Sequence, residues 1–270
     1  PGSCADLSLG DEGATLGLAD GTRLSARLLV AADGRDSWVR ETIGIATSGW
    51  DYDQRAIVAN VTPTEWHAET AWQRFLPTGP LAFLPLRDGR CSIVWSAQED
   101  RAAALMALPE DAFARELEAA CERHLGDILA VGPRASVPLR LQHADQYVRP
   151  RLALIGDAAH AVHPLAGQGV NLGFLDAAEL AQALDQALHH GRDLGGTWTL
   201  RRYERARRGD NLAMLAAMDG FKRLFSNDSA PLAALRGLGL SLTDRLTPLK
   251  NHFMARALGL GDGLPPLARP

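Results

Sequence analysis

The sequence predicts an α/β domain that is interrupted by a mostly antiparallel sheet and followed by a helical C-terminal region. Three observations carry that expectation. Two short apolar runs, residues 28–32 and 152–155, lie far apart in the chain, yet each ends in a turn built from Asp and Gly. Between them, strand-length apolar segments alternate with hairpin signals. Beyond them, leucines recur at helical spacing.

The elements follow in order. Leu16-Gly-Leu-Ala, then Asp20-Gly21, then Thr22 to Leu29 read as two strands across a tight turn, because Asp-Gly supplies the positive φ such a hairpin needs. The second strand is expected to continue through Leu28-Leu-Val-Ala-Ala and to stop at Asp33-Gly34-Arg35-Asp36-Ser37, where Ser37 or Asp36 can cap a short helix through Arg40 and Glu41. Read alone, Asp33-Gly34 is a generic strand-to-helix turn. Residues 56–61 form a further strand. Leu81-Ala-Phe-Leu-Pro-Leu and Cys91-Ser-Ile-Val-Trp-Ser are two more, joined by Arg87-Asp-Gly-Arg90, which places Pro85 at an edge or a bulge. Pro109-Glu-Asp opens a helix that carries Phe113, Leu117 and Cys121 four apart and ends near Gly126. Residues 137–141 read as the last strand of this sheet.

The most informative stretch runs from Arg151 to Asp176. Its apolar start, residues 152–155, reads as a buried strand. The chain then breaks at Gly156-Asp157, passes Pro164, and reaches Gly167-Gln168-Gly169-Val170-Asn171. A helix follows, with Leu180, Leu184 and Leu188 stacked four apart and His189, His190 and Gly191 closing it. An Asp just past a strand end can accept from ribose or ribityl hydroxyls. Glycines before a helix bring backbone N–H groups against an electron-rich ligand, with the positive end of the helix behind them. Strand, acidic turn, glycine loop and helix therefore make a site for a polar cofactor.

Composition excludes several other classes. At 270 residues and 46% hydrophobic, the chain can bury a large core. A net charge of −4 gives no reason to expect a nucleic-acid partner. Cys4, Cys91 and Cys121 are scattered and lack a Cys-x-x-Cys, so neither a disulfide framework nor a zinc site is expected, and a reducing cytoplasm fits. His160 and His163 stand three apart without a third ligand at useful spacing, so no metal is expected. No Gly-x-Ser-x-Gly elbow supports nucleophilic hydrolysis. No run reaches the roughly 18 apolar residues of a membrane span, and no signal peptide opens the chain.

The run Gly156-Asp157 followed by Pro164-x-Ala-Gly-Gln-Gly-x-Asn-x-Gly closely resembles the second FAD motif of the single-component, FAD-dependent aromatic hydroxylases. Within them it looks most like the ubiquinone-biosynthesis hydroxylases. Ala32-Asp-Gly-x-x-Ser-x-x-Arg is similar to the family's other internal signature, matched by Asp33, Gly34, Ser37 and Arg40. The resemblance implies a glutathione-reductase-like FAD/NAD(P)-binding domain with an inserted substrate-domain sheet that roofs the flavin ring. The implied organisation is residues 1–50 and 146–195 for FAD, 51–145 for substrate and 196–270 as a helical region. The chemistry implied is ring hydroxylation of a polyprenylated phenol through a flavin hydroperoxide, with NAD(P)H and O₂ consumed. Gly167, Gln168 and Gly169 then face the pyrimidine edge of the flavin, and Asp157 takes the ribityl or phosphate-linked region. Pro164 offers its carbonyl to the substrate hydroxyl. Phe83, Pro85 and Trp95 line the substrate pocket or are plain core.

The family's Gly-x-Gly-x-x-Gly fingerprint is found nowhere in the sequence. With Pro1 in place of Met, the expectation is that this chain covers about the last two thirds of a family member. Uncovered apolar surface then favours self-association. Arg201-Arg-Tyr-Glu-Arg-Ala-Arg-Arg208 carries five arginines on an expected helix. That run reads as a solvated face or as a contact with a membrane surface, peripheral to the inner membrane. Two other readings stay open: a hydroxylase of a small soluble phenol, and a scaffold within a quinone-biosynthesis assembly that binds no flavin.

Overall fold

In the computed structural model, residues 2–161, 168–225, 246–248, 250–251 and 264–268 are described. They contain thirteen strands and five α-helices, β1–β13 and α1–α5. The chain divides into two compact units: one holds the residues up to Trp50 and Arg140–Asp219, the other Asp51–Leu139.

The first unit begins with a three-stranded antiparallel sheet, β1 (Cys4–Leu9), β2 (Ala14–Leu18) and β3 (Arg23–Ala26). The Asp20-Gly21 turn forms as expected, with Gly21 at φ +88° and Leu18 N–H donating to Thr22 O. The expected continuous strand from Thr22 to Ala32 is instead two. β3 ends at Ala26, and a separate β4 (Leu29–Ala31) lies parallel to β12 (Leu152–Leu154), in register Leu29↔Leu152. β3 keeps the antiparallel pairing with β2, while β4 takes the parallel pairing with β12 in a different sheet. β11 (Val148–Arg149) pairs with the other edge of β12. A single 3₁₀ turn, Gly156–Ala158, and the short β13 (His160–Ala161) follow.

Two long helices complete this unit, α4 (Gln168–His189) and α5 (Thr197–Phe225). The buried face of α4 is Leu172, Asp176, Leu180, Ala183 and Ala187, whereas Leu188, expected in the stacked row, is 62% exposed. Successive steps of four drift around a helix of 3.6 residues per turn, which carries Leu188 out of the stripe. Gly191 closes α4 at φ +62°, with its N–H on Leu188 O.

The second unit is built around β5 (Thr47–Pro63), which extends far beyond the expected 56–61. One edge pairs with β8 (Cys91–Gln98), followed outward by β7 (Gly79–Pro85) and β6 (Trp72–Leu76). Its other edge takes β9 (Ile128–Val131) and β10 (Ala135–Ala144). The β7–β8 hairpin turns at Arg87-Asp-Gly-Arg90 as expected, with Gly89 at φ +87°. Pro85 ends β7 in register with Cys91, while β6 reaches only as far as Phe83, so the missing N–H of Pro85 breaks no ladder. Helices α2 (Glu99–Ala107) and α3 (Glu110–Ala120) cover one face. Side-chain alternation places Ile57, Leu81, Phe83, Ile93 and Trp95 on that face, packed with Leu105, Phe113 and Leu117. The opposite face presents Val58, Ala82, Leu84 and Val94, with Leu84 41% exposed.

Candidate functional site

The site in the first unit grows from the parallel pair β4 and β12. Parallel strands deliver their carboxyl ends to the same edge, and ligands of α/β folds bind there. Asp33-Gly34 follows β4 and Gly156-Asp157 follows β12, so two acidic turns distant in sequence become neighbours.

Gly156 adopts φ +58°, a conformation that disfavours a side chain, and a Cβ on Gly173 would stand 3.3 Å from the Gly156 Cα. The turn therefore packs directly on α4, glycine to glycine. α1 (Trp38–Thr42) starts just beyond the other turn, with Ser37 Oγ accepting from Arg40 N–H at 3.0 Å. The carboxylate of Asp33 accepts from Val39 N–H at 3.1 Å and is thereby tied to the same helix start. Arg40 is buried; its guanidinium donates to Ala158 O at 3.0 Å and to Arg35 O at 2.8 Å. Arg40 thus bolts one acidic turn to the other rather than presenting charge to solvent.

Asp157 differs. Its side chain is exposed and has no partner among the described residues. At the start of α4, Gly169 is half-buried while Val170 and Asn171 are exposed. The first N–H groups of a helix have no intrahelical acceptor, and the helix dipole adds positive potential there. Pro164 and Gly167 lie outside the described residues, as does His163; of Gln168 only the helical backbone is described. Phe83 and Trp95 belong to the core of the second unit, beneath α2 and α3, and Pro85 is half-buried at the end of β7.

Behind the turn lies a buried polar network that sequence reasoning missed. Asp176, fully buried on α4, accepts four donors. Gly156 N–H (3.0 Å) and His160 Nε2 (2.5 Å) reach Oδ2, while Arg207 Nε (2.9 Å) and Asn211 Nδ2 (3.1 Å) reach Oδ1. Burial raises the Asp176 pKa, but the hydrogen bond and charge of His160, with Asn211 and Arg207, outweigh it and hold the carboxyl below its usual value. Tyr203 donates to Leu154 O at 2.7 Å, and Asn211 Nδ2 also reaches the Tyr147 hydroxyl at 3.3 Å. The arginine run on α5 is therefore not uniformly solvated: Tyr203 and Arg207 face inward with Leu200, Asn211 and Leu215. A signal was present, because Asp176 stands between Leu172 and Leu180 on the apolar stripe, where a charge requires a partner.

Paired acidic turns at one sheet edge, a turn held tightly on α4 by Gly156 against Gly173, and a helix N-terminus beside them are features that suit a polar cofactor such as FAD. This arrangement is of the kind that holds nucleotide cofactors in α/β folds. Residues 9–216 match the FAD binding domain family, and the chain belongs to it. It is 48% identical over 261 residues to ubiquinone hydroxylase UbiL of Rhodospirillum rubrum, covering 96% of this chain and 61% of that protein. It is 42% identical over 274 residues to the human mitochondrial ubiquinone biosynthesis monooxygenase COQ6, covering 89% of this chain and 58% of that protein. The chain thus spans about 60% of the length of these curated relatives. Its fold is that of p-nitrophenol 4-monooxygenase PnpA from Pseudomonas putida, with a TM-score of 0.78 at 22% identity, over 95% of this chain and 66% of that one. Among the described residues, no helix is long and apolar enough to cross a membrane, and no cluster of side chains suits a metal ion.

Proposed function

We propose that this chain is part of an FAD-dependent monooxygenase that hydroxylates the aromatic ring of a polyprenylated phenol in ubiquinone biosynthesis, using NAD(P)H and O₂. The observation that carries the reading is the pair of acidic turns past β4 and β12, bolted by Arg40 beside the start of α4. Identity to a ubiquinone hydroxylase and to a ubiquinone biosynthesis monooxygenase supports the substrate class.

When bound, FAD supplies the redox chemistry and the activation of O₂. The residues of the chain bind and orient. Asp157, exposed and uncommitted, takes the hydroxyls of the ribityl or phosphate-linked region. Gly167, Gln168, Gly169, Val170 and Asn171 turn backbone N–H groups and the positive end of α4 toward the pyrimidine edge, which favours negative charge there. The Pro164 carbonyl accepts from the substrate hydroxyl. Asp33, Gly34 and Arg40 shape the second turn. Residues 51–145 form the substrate domain, and the open face of its sheet, with Val58, Ala82, Leu84 and Val94, offers an apolar surface for ring and prenyl chain. Phe83, Pro85 and Trp95 support that sheet from the helix-covered side.

A prenylated substrate resides in a bilayer, and the exposed side of α5 suits a peripheral contact on the cytoplasmic face. Trp198, Arg201, Arg202, Arg205, Arg208 and Leu212 share that side, with Trp198 59% and Leu212 44% exposed.

The experiment that tests the reading is a visible absorbance spectrum of the purified protein before and after adding FAD, followed by turnover. Flavin bands at stoichiometric occupancy, with NAD(P)H consumed faster on a prenylated phenol than on a short-chain one, are expected. A full-length protein that stays colourless with FAD would sink the enzyme assignment in favour of a scaffold. Preference for a small soluble phenol would move the substrate class.

A further inference from the structure

We propose that the buried His160–Asp176 pair is a clamp that fixes the Gly156–Asp157 turn against the first turns of α4, making both side chains positioning residues for the cofactor. The proposal rests on the FAD reading above. His160 lies in β13, held by backbone pairing to His143 of β10. Asp176 lies on α4, beyond its N-terminal turns. Their contact, Nε2 to Oδ2 at 2.5 Å with the side chains 1% and 0% exposed, therefore joins the end of the turn segment to the helix. The same oxygen receives Gly156 N–H at 3.0 Å, so one atom sets both the turn and the residue that follows it. Asp157, the next residue after Gly156, is the one whose carboxylate is left exposed for a ligand.

The arrangement demands a carboxylate. All four groups at Asp176 donate, two to each oxygen, and Arg207 and Asn211 occupy Oδ1 from α5. An amide at this position would set an NH₂ against two donors. A buried ion pair adds little net stability over well-packed apolar residues. What this one supplies is a fixed spacing between β12, β13 and α4, the three elements whose ends meet at the turn.

The test uses His160→Leu, His160→Gln and His160→Asn in the full-length protein. FAD affinity is measured by fluorescence titration, the bound flavin by visible circular dichroism, and backbone amide exchange without FAD. His160→Leu is expected to weaken FAD roughly tenfold, the loss of one charge-assisted hydrogen bond, and to alter the visible dichroism. It should speed exchange over 156–161 while β5, β7 and β8 exchange as before. His160→Gln can still donate to Asp176 and should come within about threefold of wild type, whereas the shorter His160→Asn should not. Equal FAD affinity and dichroism in His160→Leu and wild type would overturn the clamp while leaving the FAD reading intact. Uniformly faster exchange across both units would overturn it too, since the pair would then stabilise the fold alone. If His160→Leu does not fold, equal affinity of His160→Gln and His160→Asn overturns it. A wild type that binds no FAD overturns the cofactor reading and the clamp with it.

Discussion

Asp33 and Asp157 hold corresponding places, each just past one of two adjoining parallel strands, and do different work. Asp33 is turned inward onto Val39 N–H and completes the start of α1. Asp157 meets none of the described residues and keeps its carboxylate in solvent. An acceptor without an internal task is available to a ligand, and its removal leaves the fold untouched. Asp157→Ala is therefore expected to weaken FAD retention by about 1.5–3 kcal/mol, roughly 10- to 150-fold. Stability in urea should stay within about 0.5 kcal/mol of wild type. Flavin content unchanged after purification would remove Asp157 from the site.

At the scale of elements, α5 shows how much was legible in the sequence. Its helical nature and its cluster of arginines could be read from Arg201 to Arg208, but not which of them face inward. Periodicity places Tyr203, Arg207 and Asn211 on one side with Leu200 and Leu215, yet a polar residue there declares itself buried only when its partner, Asp176, is brought across from α4. The β7–β8 hairpin and the Asp33-Gly34 turn were readable because Asp-Gly fixes local geometry, whereas Gly156-Asp157 was readable as the break between an apolar strand and a glycine loop. Strands β6 and β9 and helix α2 were not: Trp72-Gln-Arg-Phe-Leu carries its polar pair mid-strand, and their placement depends on neighbours far along the chain. Phe83 and Trp95 illustrate the same limit, since strand alternation tells two faces apart without saying which one the helices cover. The outward arginines of α5 carry their own prediction. The protein should co-sediment with vesicles rich in anionic lipid at low salt and not with neutral ones. Reversing Arg201 and Arg205 to Glu should abolish this, at about 1 kcal/mol for each charge near the surface. Sedimentation indifferent to that reversal would free α5 of the membrane role.

For the molecule as a whole, the buried network ties stability to pH through His143. Burial, with Arg208 of α5 and His160 of β13 adding to it and Asp145 opposing, pushes the His143 pKa from 6.5 down to about 4. Its ring packs against Tyr147 at 5.3 Å, and its Nε2 has no partner among the described residues. Between about pH 6.5 and 4 the unfolded chain takes up a proton at this site that the folded chain does not. Folding is therefore favoured above the unfolded pKa, loses stability as pH falls through that window, and loses no more to this group below it. The full loss is on the order of 3–4 kcal/mol, since each tenfold step in affinity for a proton is about 1.4 kcal/mol. Asp176, with its folded pKa below the usual 3.8, acts in a separate window: its contribution is present above that value and disappears as pH drops further, when the four donors around it lose their charged acceptor. Urea unfolding followed from pH 7 to 4 should show stability declining in wild type and a flatter profile in His143→Gln, which cannot titrate. The two profiles should run parallel below about pH 4, where the group left to protonate is common to both. Equal slopes from pH 7 to 4 would mean that His143 reaches water in the folded chain and contributes nothing to acid sensitivity there, leaving Asp176 to act only below its usual value.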